Sequence, residues 1–173
     1  VSDGGYGVMD HVYDLASLID HLGLDRFTLM GHSLGGNIAL RYAGLFPEQI
    51  ERLVAIEGLG PSPRMLEERK AQPTTQRLRQ WIEQRRLVSE RQPRIMDDLA
   101  AAQARMQAAY SHLPEDLIHD LTKTGIKTNL DGTVSWAYDP AGFGGSPSDI
   151  PYEEQTHLWS QITCPTWLVY GAT

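Results

Sequence analysis

The chain has 173 residues, 41% of them apolar and 21% charged, which suits one globular domain with a sizeable core and excludes disordered, collagen-like and disulfide-scaffold classes. Its 15 Lys plus Arg against 22 Asp plus Glu give a formal net charge of −7 and no basic footprint for phosphates, so nucleic acid and anionic membrane surfaces are excluded as partners. A lone Cys164 cannot close an internal disulfide, no apolar run reaches the ~18 residues of a membrane span, and the opening Val1-Ser2-Asp3-Gly4-Gly5 is unlike a signal peptide; a soluble, cytoplasmic protein is expected. The start without Met and the close on Tyr170-Gly171-Ala172-Thr173, just after a strand-like run, lead to the further expectation that these residues are an internal fragment.

In chain order, Val12, Leu15, Ile19 and Leu22 recur at spacings of three and four and predict an amphipathic helix over Val8 to Leu22, stopped by Gly23. Arg26 to Met30 is a β-branched and aromatic run that suits a buried strand. Leu34 to Leu45 reads as a helix ended by Phe46-Pro47, because proline denies its predecessor the α region. Leu53 to Ile56 and Thr166 to Tyr170 are two more strands, and strands alternating with helices predict a parallel sheet of α/β class. Between them the composition turns to Arg, Gln, Glu and Ala. Three helices are expected there, around Leu78 to Val88, around Ile95, Leu99 and Met106, and around Leu117 to Leu121, with Pro114 at the first position of the last and Gly125 as its stop. Lys127 to Tyr138 alternates about Asp131-Gly132, a two-residue hairpin signal, and Gly142 to Pro147 reads as a hinge. The expected organisation is a partial core over 1–60, a mostly helical lid with a hairpin over 61–158, and a returning core strand over 159–173.

Gly31-His32-Ser33-Leu34-Gly35-Gly36 has the G-x-S-x-G form of a nucleophile elbow. A strand that turns abruptly into a helix forces the turning serine into a strained conformation, and glycines two before and two after it let the backbone pass. The motif falls between a five-residue apolar run and a periodic helix, the context it requires. The backbone N–H of Leu34 then sits at a helix N-terminus, where unpaired amides favour a developing oxyanion.

With this elbow, the helix closing on Phe46-Pro47-Glu48, the strand Leu53 to Ile56, and the segment preceding Thr163-Cys164-Pro165-Thr166, the chain resembles the middle of an α/β-hydrolase-fold serine hydrolase. The wording from Asp131 to Pro140 is similar to bacterial hydrolases related to serine hydrolase-like proteins. The resemblance implies acyl-ester chemistry, an acyl-enzyme intermediate and no cofactor. It also implies two positions for the acid of the triad. One is Glu57, directly after the strand ending at Ile56, where members such as haloalkane dehalogenases carry theirs; the other follows Tyr170, where the chain stops, so Glu57 is the candidate. The family's histidine and second oxyanion donor are expected outside these residues, which leaves the chain by itself nearly inert.

The six histidines have other readings. His32 belongs to the elbow, His11 and His21 lie on the first helix, His112 and His119 on an exposed helix without a third metal ligand, and His157 before the last strand; no metal is expected. Trp81, Trp136, Tyr138, Phe143 and Trp159, with Met65, Met96 and Met106, supply apolar surface, and Trp81 and Trp136 are the candidate substrate-binding residues. With no evident Arg cluster for a carboxylate, an apolar small-molecule ester is the expected substrate. The alternatives are C–C bond hydrolysis or perhydrolase chemistry on the same fold, or a ligand-binding module without catalysis.

Overall fold

The computed structural model describes residues 6–90, 94–139, 142 and 149–171. The expected hinge at 142–147 lies outside them except for Gly142. In chain order the helices are α1 (Val8–Leu22), α2 (Leu34–Leu45), α3 (Pro63–Ala71), α4 (Thr74–Ser89), α5 (Leu99–Ala109), α6 (Glu115–Gly125) and α7 (Tyr152–Ser160). The strands are β1 (Phe27–His32), β2 (Ile50–Ile56), β3 (Ile95–Met96), β4 (Ile126–Thr128), β5 (Val134–Trp136) and β6 (Thr166–Val169). Two compact units result: Val1–Gln84 with Gly144–Thr173, and Arg85–Phe143.

The first unit is built on a parallel sheet in the order β1-β2-β6, in register at Leu29 with Leu53 and at Ala55 with Leu168. At the start of α1 the Asp10 carboxylate accepts the Gly7 N–H at 2.8 Å, and at its end Gly23 takes the left-handed φ of 62° expected of a stop residue. The helix buries Val12 and Ile19 against Leu40 and Ala43 of α2 and Ile50, Leu53 and Ala55 of β2. Leu53 is 0% exposed, and burying a side chain of that size is worth about 1.5–3 kcal/mol. On another flank of α2, a Cβ at Gly44 would fall on the backbone carbonyl of Leu158, so the absent side chain is what lets α7 pack so closely. That contact, with α3 and the first part of α4, belongs to the sheet unit, and the division therefore differs from an insertion running over 61–158.

Both core strands are longer than their apolar runs. β2 starts at Ile50 rather than Leu53, and β1 extends through Gly31 and His32 because these pair in parallel with Ala55 and Ile56. Nor is β1 buried on both faces: its burial alternates, and Met30 is 68% exposed. Helix α3 was not expected, since Arg64-Met65-Leu66-Glu67-Glu68-Arg69-Lys70 buries no residue; its signal is local, the Ser62 hydroxyl accepting the Met65 N–H ahead of Pro63 in the first turn.

In the second unit β3, β5 and β4 form an antiparallel sheet in that order, with Met96, Ala102 and Val134 at its core. Ile95, expected in a helix, lies in a strand paired with Ser135. The hairpin closes with the Asn129 N–H donating to the Thr133 carbonyl at 2.8 Å, so three residues, not two, form its loop. Pro114 caps α6 rather than opening it, and Gly125 is its last residue, with Ile126 as the cap.

Among the described residues β1 and β6 each pair only with β2, leaving their outer backbone groups unpaired beside exposed Met30, Trp167 and Val169. The 173-residue chain by itself is expected to self-associate in sedimentation at micromolar concentration. A monomer that melts cooperatively would contradict this.

Candidate active site

The strand-to-helix turn falls on Ser33, with φ 53° and ψ −118°. Its N–H donates to the Ile56 carbonyl at 2.8 Å, which fixes the turn to the end of the neighbouring strand. A Cβ at Gly31 would fall on the carbonyl oxygen of Gly35, so the first glycine of the motif is sterically required. The second is not: a Cβ at Gly35 meets nothing within 4 Å. The required residue is its neighbour Gly36, where a Cβ would lie 2.8 Å from the Cα of Gly58, while one at Gly58 would lie 2.6 Å from the Cα of Gly36. The first turn of α2 therefore packs backbone to backbone on the loop after β2. The contact is reinforced where the Asn37 amide donates to the Gly58 carbonyl at 3.3 Å.

That loop begins with Glu57, which with Ser33 makes the pair of non-glycine residues at positive φ among the described residues, here 51°. Such a conformation costs about 1–3 kcal/mol and persists only where the surroundings over-determine it. For Glu57 they do: its N–H donates to the Val169 carbonyl at 2.8 Å and its carboxylate accepts the Gly171 N–H at 2.5 Å. Since His32 and Ile56 are register partners, the two strained residues directly follow paired positions at the C-terminal ends of adjacent parallel strands, the region where sites gather in open α/β sheets. Leu34 is the first residue of α2, and its N–H is one of those a helix leaves without an internal acceptor.

Ser33, Leu34, Asn37 and Glu57 line one cleft of about 740 Å³. Arg41 lines it from the next turn of α2, 1% exposed, its two terminal nitrogens on the two carboxylate oxygens of Asp149 at 2.6 and 2.7 Å. Burial raises the pKa of Asp149, but the hydrogen bonds and charge of Arg41, the Ile150 N–H and the charge of Arg69 outweigh it and hold the carboxyl below its usual range. Sequence reasoning missed this pair. The available signal was a cation inside the apolar run Leu40-Arg41-Tyr42-Ala43, which a buried helix face admits only with a partner.

Other expected residues are elsewhere. No histidine lines the cleft; His32 is exposed, and His119 bonds Gln103 at 3.0 Å. Among the described residues no cluster suits a metal ion. Trp81 and Trp159 do not line the cleft, whereas Met65 does. Trp136 packs against Met96, Ala102 and Val134 in the core of the second unit and stacks on Tyr138, and Phe143 lies outside the described residues.

A family model for the α/β-hydrolase fold matches residues 2–106, more than half of the chain, and takes in both strained positions. The chain belongs to the α/β-hydrolase family. It is 44% identical over 57 residues to a 2-hydroxy-6-oxo-2,4-heptadienoate hydrolase of Pseudomonas putida, a match that covers 33% of this chain and 21% of that one. Over 169 residues it is 21% identical to a serine hydrolase-like protein of Dictyostelium discoideum, covering 95% of this chain and 45% of the relative. Among solved structures, the thioesterase domain from the curacin biosynthetic pathway superposes with a TM-score of 0.74 at 24% identity, over 96% of this chain and 58% of its own. The chain thus spans less than half of these two curated relatives and somewhat over half of that hydrolase fold.

Replacing Asp149 by Asn leaves the Arg41 charge buried, and we expect a loss near the low end of about 3–5 kcal/mol, because Asp149 itself is 30% exposed. The folded-state pKa of Asp149 lies below its unfolded value, so the pair's contribution is complete above about pH 4 and is lost as pH falls through the folded-state value. Urea melts of both proteins from pH 7 to 3 check this: the difference should shrink on acidification, and a difference independent of pH would contradict it.

Proposed function

We propose that this chain carries the nucleophile of a serine hydrolase that cleaves an ester-like bond through an acyl-enzyme intermediate. The observation that carries the reading is Ser33 itself, held at positive φ on a strand-to-helix turn inside a cleft, beside a free helix-terminal N–H. The hydroxyl oxygen of Ser33 attacks the carbonyl carbon while an imidazole takes its proton; the developing oxyanion meets the Leu34 N–H; the imidazole returns the proton to the departing alcohol; and water repeats the cycle on the acyl group.

No described histidine lines the cleft, so the imidazole comes, in this proposal, from sequence outside the 173 residues. Glu57 is its orienting acid, supported by its position after the strand next to that of Ser33 and by a backbone fixed at Val169. The hydrogen bond to Gly171 occupies one carboxylate oxygen and leaves the other for an imidazole N–H. In the same proposal the substrate is a small molecule and no cofactor takes part.

A second reading is hydrolysis of a carbon–carbon bond by the same serine. It is favoured by the local 44% identity to the 2-hydroxy-6-oxo-2,4-heptadienoate hydrolase.

In the full-length protein, Ser33→Ala is expected to lower kcat on p-nitrophenyl esters at least ~10³-fold, and Glu57→Gln by about 10²–10⁴-fold, with KM little changed. Unchanged turnover in Ser33→Ala would overturn the serine mechanism. Unchanged turnover in Glu57→Gln alone would reassign the acid.

A further inference from the structure

The cleft that holds Ser33 has a second chemical character, which the serine reaction does not use. Arg69 and Lys70 at the end of α3 and Arg77 in the first turn of α4 all line it, on either side of the short connection between those helices. None of the three forms an ion pair or hydrogen bond among the described residues, although the chain has a net charge of −7 and acidic partners are abundant. Arg64, on the same helix but not in the cleft, is paired with Glu68 at 2.8 Å, and Arg41 is neutralised by Asp149.

Arg77 Nε is buried and has no hydrogen-bond partner, and so is the amide nitrogen of Gln155, a cleft residue only 5% exposed. Arg41 Nε is a third such donor among the residues that line the cleft. Buried donors without acceptors are rare and costly, and these three lack the same thing, an acceptor oxygen. The carboxylates that share the cleft do not supply it. Asp149 accepts from the terminal nitrogens of Arg41 and Glu57 from the Gly171 N–H, and neither of these nor Glu153 bonds any of the three donors. A guanidinium fork with a second arginine and a lysine in the same cleft matches the planar or tetrahedral oxygens of an anion.

We infer that the substrate carries an anionic end group, a carboxylate or a phosphate monoester, that docks on Arg77 with Arg69 and Lys70 while the scissile carbonyl lies at Ser33. This rests on the serine hydrolase reading for the second half only; the anion site stands on the cleft's own donors. It replaces the expectation of an apolar ester, which rested on aromatic surface and on the lack of an evident Arg cluster for a carboxylate in the sequence.

The test has two arms on the full-length protein. For turnover, p-nitrophenyl hemiglutarate is compared with the uncharged p-nitrophenyl valerate. The anionic ester should be preferred in kcat/KM, and Arg77→Gln should erase about 10- to 100-fold of that preference, read as the ratio of kcat/KM on the two esters, with the loss falling in KM of the anionic one. Arg77→Lys, which keeps the charge and loses the fork, should recover part of it, and Arg64→Gln, outside the cleft, none should be lost. Equal use of both esters, or an Arg77→Gln preference like that of the wild type, overturns the proposal. For binding, glutarate and propyl phosphate are titrated by calorimetry into Ser33→Ala protein, which reports on the anion site even if neither ester is turned over. Saturable binding of either that weakens at least tenfold in Arg77→Gln and with added salt supports the site, and the tighter ligand identifies the group; no saturable binding, or binding indifferent to Arg77, overturns it.

Discussion

Two backbones touch where Gly36 meets Gly58, and the geometry of the cleft depends on that contact. A single methyl at either position would come within 2.6–2.8 Å of the opposing Cα, closer than nonbonded carbons tolerate. Because neither residue has one, the N-terminal turn of α2 seats directly on the loop leaving β2, and the Asn37 amide bridges the same gap. Ser33 and Glu57 follow from this seating. Each leaves its strand at positive φ, and each is held by hydrogen bonds from the adjacent strand, Ser33 to Ile56 and Glu57 to Val169 and Gly171. The strain is concentrated at these two residues, and the parallel register of β1, β2 and β6 sustains it.

Behind the contact, the small and apolar face of α2 supplies the rest of the rigidity. Its buried residues close on α1 and β2, and its bare Gly44 admits α7. One cation, Arg41, is drawn into this otherwise apolar surface and fixed by Asp149, which ties the stretch before α7 to the floor of the cleft. The cleft thus holds one cation bound by Asp149 and three others, Arg69, Lys70 and Arg77, that form no ion pair among the described residues, a difference that neither net charge nor hydropathy reveals.

The parts of the fold governed by short-range rules were legible in the sequence. The periodicity of Val12, Leu15, Ile19 and Leu22 returned α1 with its glycine stop, Phe46-Pro47 returned the end of α2, and the glycine–serine spacing returned the turn at Ser33. The misreadings came where partners far along the chain decide. A Cβ on the motif's Gly35 would meet nothing within 4 Å and Gly36 is the constrained one, because the obstacle is Gly58, a residue no local pattern connects to it. Ile95 joins a strand because Ser135 lies opposite. α3 buries no residue that would betray it, and its cations join Arg77 only in the lining of the cleft. Trp136, chosen for its aromatic surface, is used by the core of the second unit.

In the proposed reaction the strained turn presents Ser33 as the nucleophile, and covalent capture is the sharpest test of that role. The full-length protein, treated with a fluorophosphonate and examined by intact mass and peptide mapping, is predicted to gain a single phosphonyl group on the peptide that contains Ser33, and to gain none in Ser33→Ala. No adduct on the wild-type protein, or an adduct on another residue that survives Ser33→Ala, would contradict the account.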